Sequence, residues 1–219
     1  MSEIYLDIET IPSQEPWVKD HFAKYVKPPA NIKKQETLDA WHADKYDEAL
    51  EAKLEKTVFN GETNHIVCIG AAIGDGDIVS FSCENVKDEA SMMRDFYQWL
   101  EINTDSMGRV FVGHNITQFD MRVIRQRSII LGIKPPKMPF DAKPWDLNPY
   151  DTMIQWNSKD YVKQSLLAKA LGIEKDTDVD GSQVYEMWRA GKHEEIATYC
   201  RNDVRLVREI YKRMKYIGA

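Results

Sequence analysis

Residues 3–9 read EIYLDIE. Ile4, Leu6 and Ile8 fall on one side and Tyr5, Asp7 and Glu9 on the other, which is the period-two alternation of a β-strand. An apolar face this regular marks a strand covered on at least one side. Its two carboxylates then share the opposite face toward the C-terminal end, where open α/β sheets place ligands. Working outward, residues 65–73 (HIVCIGAAI) and 77–82 (DIVSFS) are two further β-rich runs separated by Gly74-Asp75-Gly76, which predicts a hairpin. Met92, Met93, Phe96, Trp99 and Leu100 recur at helical spacing, so an amphipathic helix is expected over 88–102. RVFVG (109–113) predicts a fourth strand, residues 120–131 a helix stopped at Gly132, and residues 150–153 a short fifth strand. Helices are expected over 163–171, 182–190 and 193–216. A meander of strands followed by alternating helix and strand implies an α/β fold, a mixed sheet flanked by helices.

One stretch lies outside that scheme. About fifty residues, roughly 12–64, separate the first two strands, where connections commonly take only about 2–6 residues. The chain therefore reads as one domain over 1–219 with an insertion between its first two strands. Residues 17–34 of the insertion hold Lys19, Lys24, Lys27, Lys33 and Lys34 against Asp20 alone, interleaved with Trp17, Phe22 and Tyr25. Lysines among aromatics are typical of surfaces that grip single-stranded nucleic acid. A packed excursion with no functional role is the other reading. Residues 36–58 predict a charged helix with Leu38, Trp41, Leu50 and Leu54 on one stripe.

The bulk properties narrow the class. The 219 residues carry 29 Lys and Arg against 35 Asp and Glu, a net charge of −6, which argues against charge-driven, non-specific nucleic-acid binding. It does not argue against an enzyme that reaches phosphates through metal ions, whose ligands are themselves acidic. Cys68, Cys83 and Cys200 are odd in number and too widely spaced for a zinc knuckle or a disulfide framework, so a reducing, cytoplasmic setting is expected. No signal-peptide pattern and no run of roughly 18 apolar residues is present, so no membrane association is expected.

Hydrolysing a phosphodiester near neutral pH calls for an activated water and for stabilised charge on the attacking and leaving oxygens, which two divalent cations about 3.5–4 Å apart supply. Mg²⁺ and Mn²⁺ prefer hard oxygen ligands. Asp7 and Glu9, two apart on a strand, are about 6.6–7 Å apart at the backbone and can converge on one ion. The stretch GHNITQFD (113–120) follows a strand and puts Asp120 at a helix start, where an N-cap role is the alternative. In TYCRND (198–203), Tyr199 and Asp203 share a helix face, or else form an exposed surface pair. Thr10, Asn115 and Phe119, beside these acids, are expected to touch substrate, together with Lys27, Lys33 and Lys34. Asn115 is otherwise a turn residue and Phe119 plain core.

The order D-x-E, N-x-x-x-F-D and Y-x-x-x-D resembles the three motifs of DEDD-type 3'→5' exonucleases. It matches the tyrosine-bearing DEDDy branch with its ribonuclease H-like fold; Thr198 stands where the histidine branch has His. LDIET, KPPANIKK, VGHNITQFD, DGSQV and YCRNDV further resemble predicted exonucleases related to the proofreading domain of family B DNA polymerases, over nearly the whole chain. The resemblance implies two Mg²⁺ or Mn²⁺ ions, with Asp7, Glu9 and Asp203 on the first, Asp7 and Asp120 on the second, and Tyr199 orienting the attacking water. It implies 3' ends of single-stranded DNA as substrate, with RNA trimming as the alternative, and a DNA polymerase or another replication or repair protein as a candidate partner.

Competing motifs are weaker. Asp176-x-Asp178-x-Asp180-Gly181 opens like an EF-hand loop, but the twelfth position is Met187 rather than the bidentate Glu; Asp180 with Gln183 predicts a capping box instead. Asp151 is expected to play a structural role near the acids, and His114 to be a hydrogen-bonding core residue. A haloacid-dehalogenase-type phosphatase would need Asp where Glu9 stands. A non-catalytic nucleic-acid-binding module of the same fold is the remaining rival.

Overall fold

The strand read from residues 3–9 runs over Ser2–Pro12 (β1) and lies at the centre of a five-stranded sheet. This computed structural model describes residues 2–143 and 146–216. The other strands are Asn64–Ile73 (β2), Val79–Ser82 (β3), Arg109–Gly113 (β4) and Tyr150–Asp151 (β5), in the order β3-β2-β1-β4-β5. β1 and β2 pair antiparallel, as do β2 and β3, whereas β4 runs parallel to both β1 and β5. The sheet is thus mixed, as the strand pattern predicts.

The helices are Pro16–Ala23 (α1), Gln35–Asp44 (α2), Tyr46–Glu55 (α3), Glu89–Asn103 (α4), Asp120–Ile130 (α5), Thr152–Trp156 (α6), Gln164–Ala170 (α7), Val184–Arg189 (α8) and His193–Tyr216 (α9). Ile4, Leu6 and Ile8 share one core with Met92, Met93, Phe96 and Leu100 of α4 and Val123 and Ile124 of α5. Tyr5 joins a second core with Val204, Val207, Ile210 and Tyr211 of α9. Both faces of β1 are therefore covered, and burying a large apolar side chain on either contributes roughly 1.5–3 kcal/mol.

Gly70, the partner of Asp7 across the β1/β2 ladder, lets α9 settle onto the sheet. A Cβ there would stand 2.9 Å from both Cys200 Sγ and Val204 Cγ2, closer than real contacts allow. The ladder is regular to Glu9 and then shifts register between Glu9 and Thr10. Such a bulge re-aims the side chains beside it, here next to the acids.

Three expectations need correction. The helix over 36–58 is two helices, α2 and α3, broken at Lys45, whose φ of −127° is not helical, followed by a 3-10 turn over Lys56–Phe59. The break lets α3 fold back along α1, with the Tyr46 hydroxyl donating to Ala23 O at 3.3 Å. β3 begins only at Val79, because Asp77 and Ile78 complete the hairpin turn. The fifth strand stops at Asp151, whose carboxylate accepts from Met153 N and Ile154 N and so caps α6.

Candidate active site

Asp7 and Glu9 project from β1 toward the first turns of α9, which carries Tyr199, Cys200 and Asp203. Ligand atoms of Asp7, Glu9 and Cys200 lie within 4.8 Å of one another. Asp120 opens α5 and reaches β1 by accepting the Ile8 N–H at 3.1 Å; the residue before it, Phe119, holds the N-cap position. Glu9, Asp120, Tyr199 and Asp203 are all buried, and Asp7 is partly so. The structure therefore brings the five residues of the three motifs to one place from three elements.

Their electrostatics follow from that crowding. Burial, then the negative charges of Asp203 and Asp120, hold the Asp7 carboxyl well above the usual range. Burial, then Asp7 and Asp203, do the same to Glu9. Burial pushes Asp120 up to about 8, with the Asp151 charge adding to it, while its own backbone N–H and that of Ile8 pull the other way. Asp203 is pushed up to about 6 by burial, against the Tyr199 hydroxyl that hydrogen-bonds it and the nearby Lys175. Tyr199 itself is raised by burial and then by Glu9, Asp203 and Asp7, so its phenol stays protonated. Several carboxylates desolvated together with little opposing charge form a site that attracts cations.

That donor set of hard oxygens fits Mg²⁺ or Mn²⁺. Cys200 does not extend it. Burial, then Cys68 and Asp7, push its thiol up, so it remains S–H and sits 3.5 Å from Asp7 O and 3.6 Å from Asp7 Oδ2 as a weak donor. The sequence singled out Cys200 only for its spacing; a thiol turned toward a carboxylate 193 residues away leaves no local signal.

A cleft of about 740 Å³ opens above the acids, lined in part by Glu9, Thr10, Asn115, Phe119, Tyr199 and Asp203. Asn115 sits at φ 61° in a loop pinned by Asp151, whose carboxylate accepts from Asn115 N at 2.9 Å and Thr117 N at 3.2 Å. His114 bonds Thr152 Oγ1 and Val162 O, the hydrogen-bonding role expected, but it is only partly buried and lines the cleft rather than the core. Lys27, Lys33 and Lys34 are exposed and do not line the cleft. The insertion's contribution to the cleft is its return limb, Glu55, Lys56, Val58 and Phe59. Sequence reading passed over these, as it did Lys175, which lines the cleft with its ammonium 5.2 Å from the Tyr199 ring centroid. The capping box of Asp180 and Gln183 is present and starts the turn that leads Gly181 past the Tyr199 hydroxyl.

A mixed sheet with its central strand antiparallel to one neighbour and parallel to the other, and a cleft floored by buried acids, defines a ribonuclease H-like α/β protein. The chain belongs to the family of predicted 3'→5' exonucleases related to the exonuclease domain of PolB, whose model matches residues 59–219. The match begins at Phe59, so Asp7, Glu9 and most of the insertion lie before it. Among solved structures, the chain is similar to the family B DNA polymerase from the hyperthermophilic archaeon Pyrobaculum calidifontis, with a TM-score of 0.61 at 16% identity. That likeness in fold covers 98% of this chain and 24% of the polymerase chain. No curated protein matches the chain significantly. Among the described residues, no helix is long and apolar enough to cross a membrane.

Proposed function

We propose that this protein removes nucleotides from the 3' end of single-stranded DNA with two divalent metal ions. The observation that carries the reading is the gathering of four carboxylates from β1, α5 and α9, with Glu9 and Asp203 on the cleft wall and Asp7 and Asp120 packed beside them, each held above its ordinary pKa. Family membership supplies the reaction class. Asp7, Glu9 and Asp203 would hold one ion, and Asp7 with Asp120 the other. When bound, Mg²⁺ or Mn²⁺ supplies an activated water and stabilises charge on the attacking and leaving oxygens.

The chain's own groups do the rest. Tyr199, kept protonated and hydrogen-bonded to Asp203, orients the attacking water through its hydroxyl. Thr10 and Asn115 line the approach to the acids and, with Phe119, contact the terminal nucleotide. Lys27, Lys33 and Lys34, outside the cleft, contact phosphates further along the strand. A replication or repair protein, such as a DNA polymerase, is the partner such an activity would serve.

Digestion of matched 5'-labelled single-stranded DNA and RNA with Mg²⁺, Mn²⁺ or EDTA tests this. A ladder shortening from the 3' end of DNA, abolished by EDTA, is expected. Undiminished activity in EDTA would overturn the metal role, and a preference for the RNA would reassign the substrate.

A further inference from the structure

The return limb of the insertion holds an aromatic ring out in water beside the acids. Phe59 is 60% exposed and lines the cleft. A single exposed apolar side chain is ordinary, but this one stands on a backbone fixed from three sides. The Val58 carbonyl accepts from Thr10 Oγ1 at 2.9 Å and from Asn64 Nδ2 at 2.7 Å. The Phe59 carbonyl accepts from Arg122 Nη2 at 2.7 Å, and Arg122 Nη1 reaches Asn60 Oδ1 at 3.3 Å. Asn60 O in turn accepts from Thr63 N at 2.9 Å. Thr10 directly follows Glu9, so the ring is tied to the acidic strand through one residue. Its only ring neighbour among the described residues is Phe119, 6.3 Å away at an interplanar angle of 65°, and its 60% exposure leaves much of the side chain available at the cleft it lines.

We infer that an unpaired nucleobase near the substrate's 3' end stacks on Phe59, and that this contact makes the enzyme prefer single strands to paired ends. The inference rests on the exonuclease reading. On a fixed backbone an aromatic side chain has only two rotatable bonds to order on binding, and base stacking on an aromatic ring is indifferent to sequence. A base still paired in a duplex has its faces occupied by neighbouring bases and cannot take this position. Phe59 is thus a specificity-determining contact that the insertion contributes to an active site built by the sheet.

The test uses the full chain and an oligonucleotide with 2-aminopurine at its 3' terminus, in EDTA so that no hydrolysis competes. Binding should change the probe's fluorescence. Phe59→Ala should remove most of that change and weaken binding about tenfold, while Phe59→Trp should retain both. With Mn²⁺, the ratio of kcat/KM on single-stranded over blunt-ended duplex DNA should fall several-fold in Phe59→Ala and be kept in Phe59→Trp. Unchanged fluorescence, affinity and ratio in Phe59→Ala would overturn the inference, as would failure of the parent chain to bind the probe. Binding that depends on Phe59 without any hydrolysis in Mn²⁺ would overturn the exonuclease reading and leave the stacking contact standing.

Discussion

Around Asp7 nearly every neighbour is buried: Leu6, Ile8, Glu9, Cys68, Cys200 and Asp203 all sit inside the protein. From residue 16 to residue 49, by contrast, only Val18 and Val26 are buried, while Trp17, Tyr25, Lys27, Lys33 and Lys34 stand in solvent. The first region fixes positions to within the tolerance of close packing. The second fixes little and offers charge and aromatic surface. Under the proposed function the difference would divide the labour: the core floor would set the chemistry, and the insertion would set the grip on the strand. Substitutions on the floor should therefore act on turnover, and those in the insertion on binding.

The largest effect expected is from Asp7→Ala or Asp203→Ala, each of which removes a carboxylate that the proposed ions would need. Turnover should fall by more than about 100-fold with the fold retained, read by steady-state rates beside circular dichroism. Near-normal rates would erase the contrast by moving the site elsewhere. Tyr199→Phe leaves every carboxylate in place and deletes one hydrogen bond, so about a tenfold loss in kcat is expected, with KM little altered. A loss as deep as that of Asp7→Ala would give the tyrosine a larger part.

Crowding of the floor also predicts a pH dependence of stability without metal. Asp203 and Asp120 ionise at about 6 and about 8 in the fold, against about 3.9 when unfolded. Between those values the folded state binds more protons than the unfolded one. Stability is thus fully present below about pH 4 and is lost as pH rises through 6 and 8. In EDTA the Tm should drop between pH 5 and pH 8, by about 2–4 °C for each kcal/mol lost. Mn²⁺ should restore it most at the higher pH, since the ions replace those protons. A Tm flat across that range in EDTA would show that the acids are less crowded than the structure has them.

The smallest effect belongs to the insertion. Replacing Lys27, Lys33 and Lys34 together by Ala should raise KM for long oligonucleotides a few-fold and reduce the salt slope by up to about 2, at about 0.7 for each phosphate contact on a single strand. Turnover at saturation should not change. If KM and slope both match the parent enzyme, the exposed lysines contact no substrate and Phe59 alone represents the insertion in binding.

The same division explains what could be read from the sequence. β1, α4 and α9 were legible because each buries a face, and burial writes a period of 2 or 3.6 into the residues. The convergence of Asp7, Glu9, Asp120, Tyr199 and Asp203 was expected from the order of their motifs along β1, α5 and α9 and from the family resemblance those motifs carry. The insertion resisted reading for the same physical reason: with almost no buried stripe, nothing in residues 36–58 announced the break at Lys45. Nor did the Lys-rich composition of 17–34 say where the chain would carry it. Phe59 and Cys200 depend on contacts with residues 63 and 193 positions away in sequence, Arg122 for one and Asp7 for the other, and no local pattern encodes those.

The claim on which all of this rests is that the acidic floor is completed by two divalent cations. Calorimetric titration of Mn²⁺ into the metal-free protein, alongside Asp7→Ala, measures it directly. The account predicts two ions per chain, with proton release at pH 7, and loss of at least one of the two sites in Asp7→Ala. Absence of binding in the parent protein, or an identical titration in the variant, would contradict it.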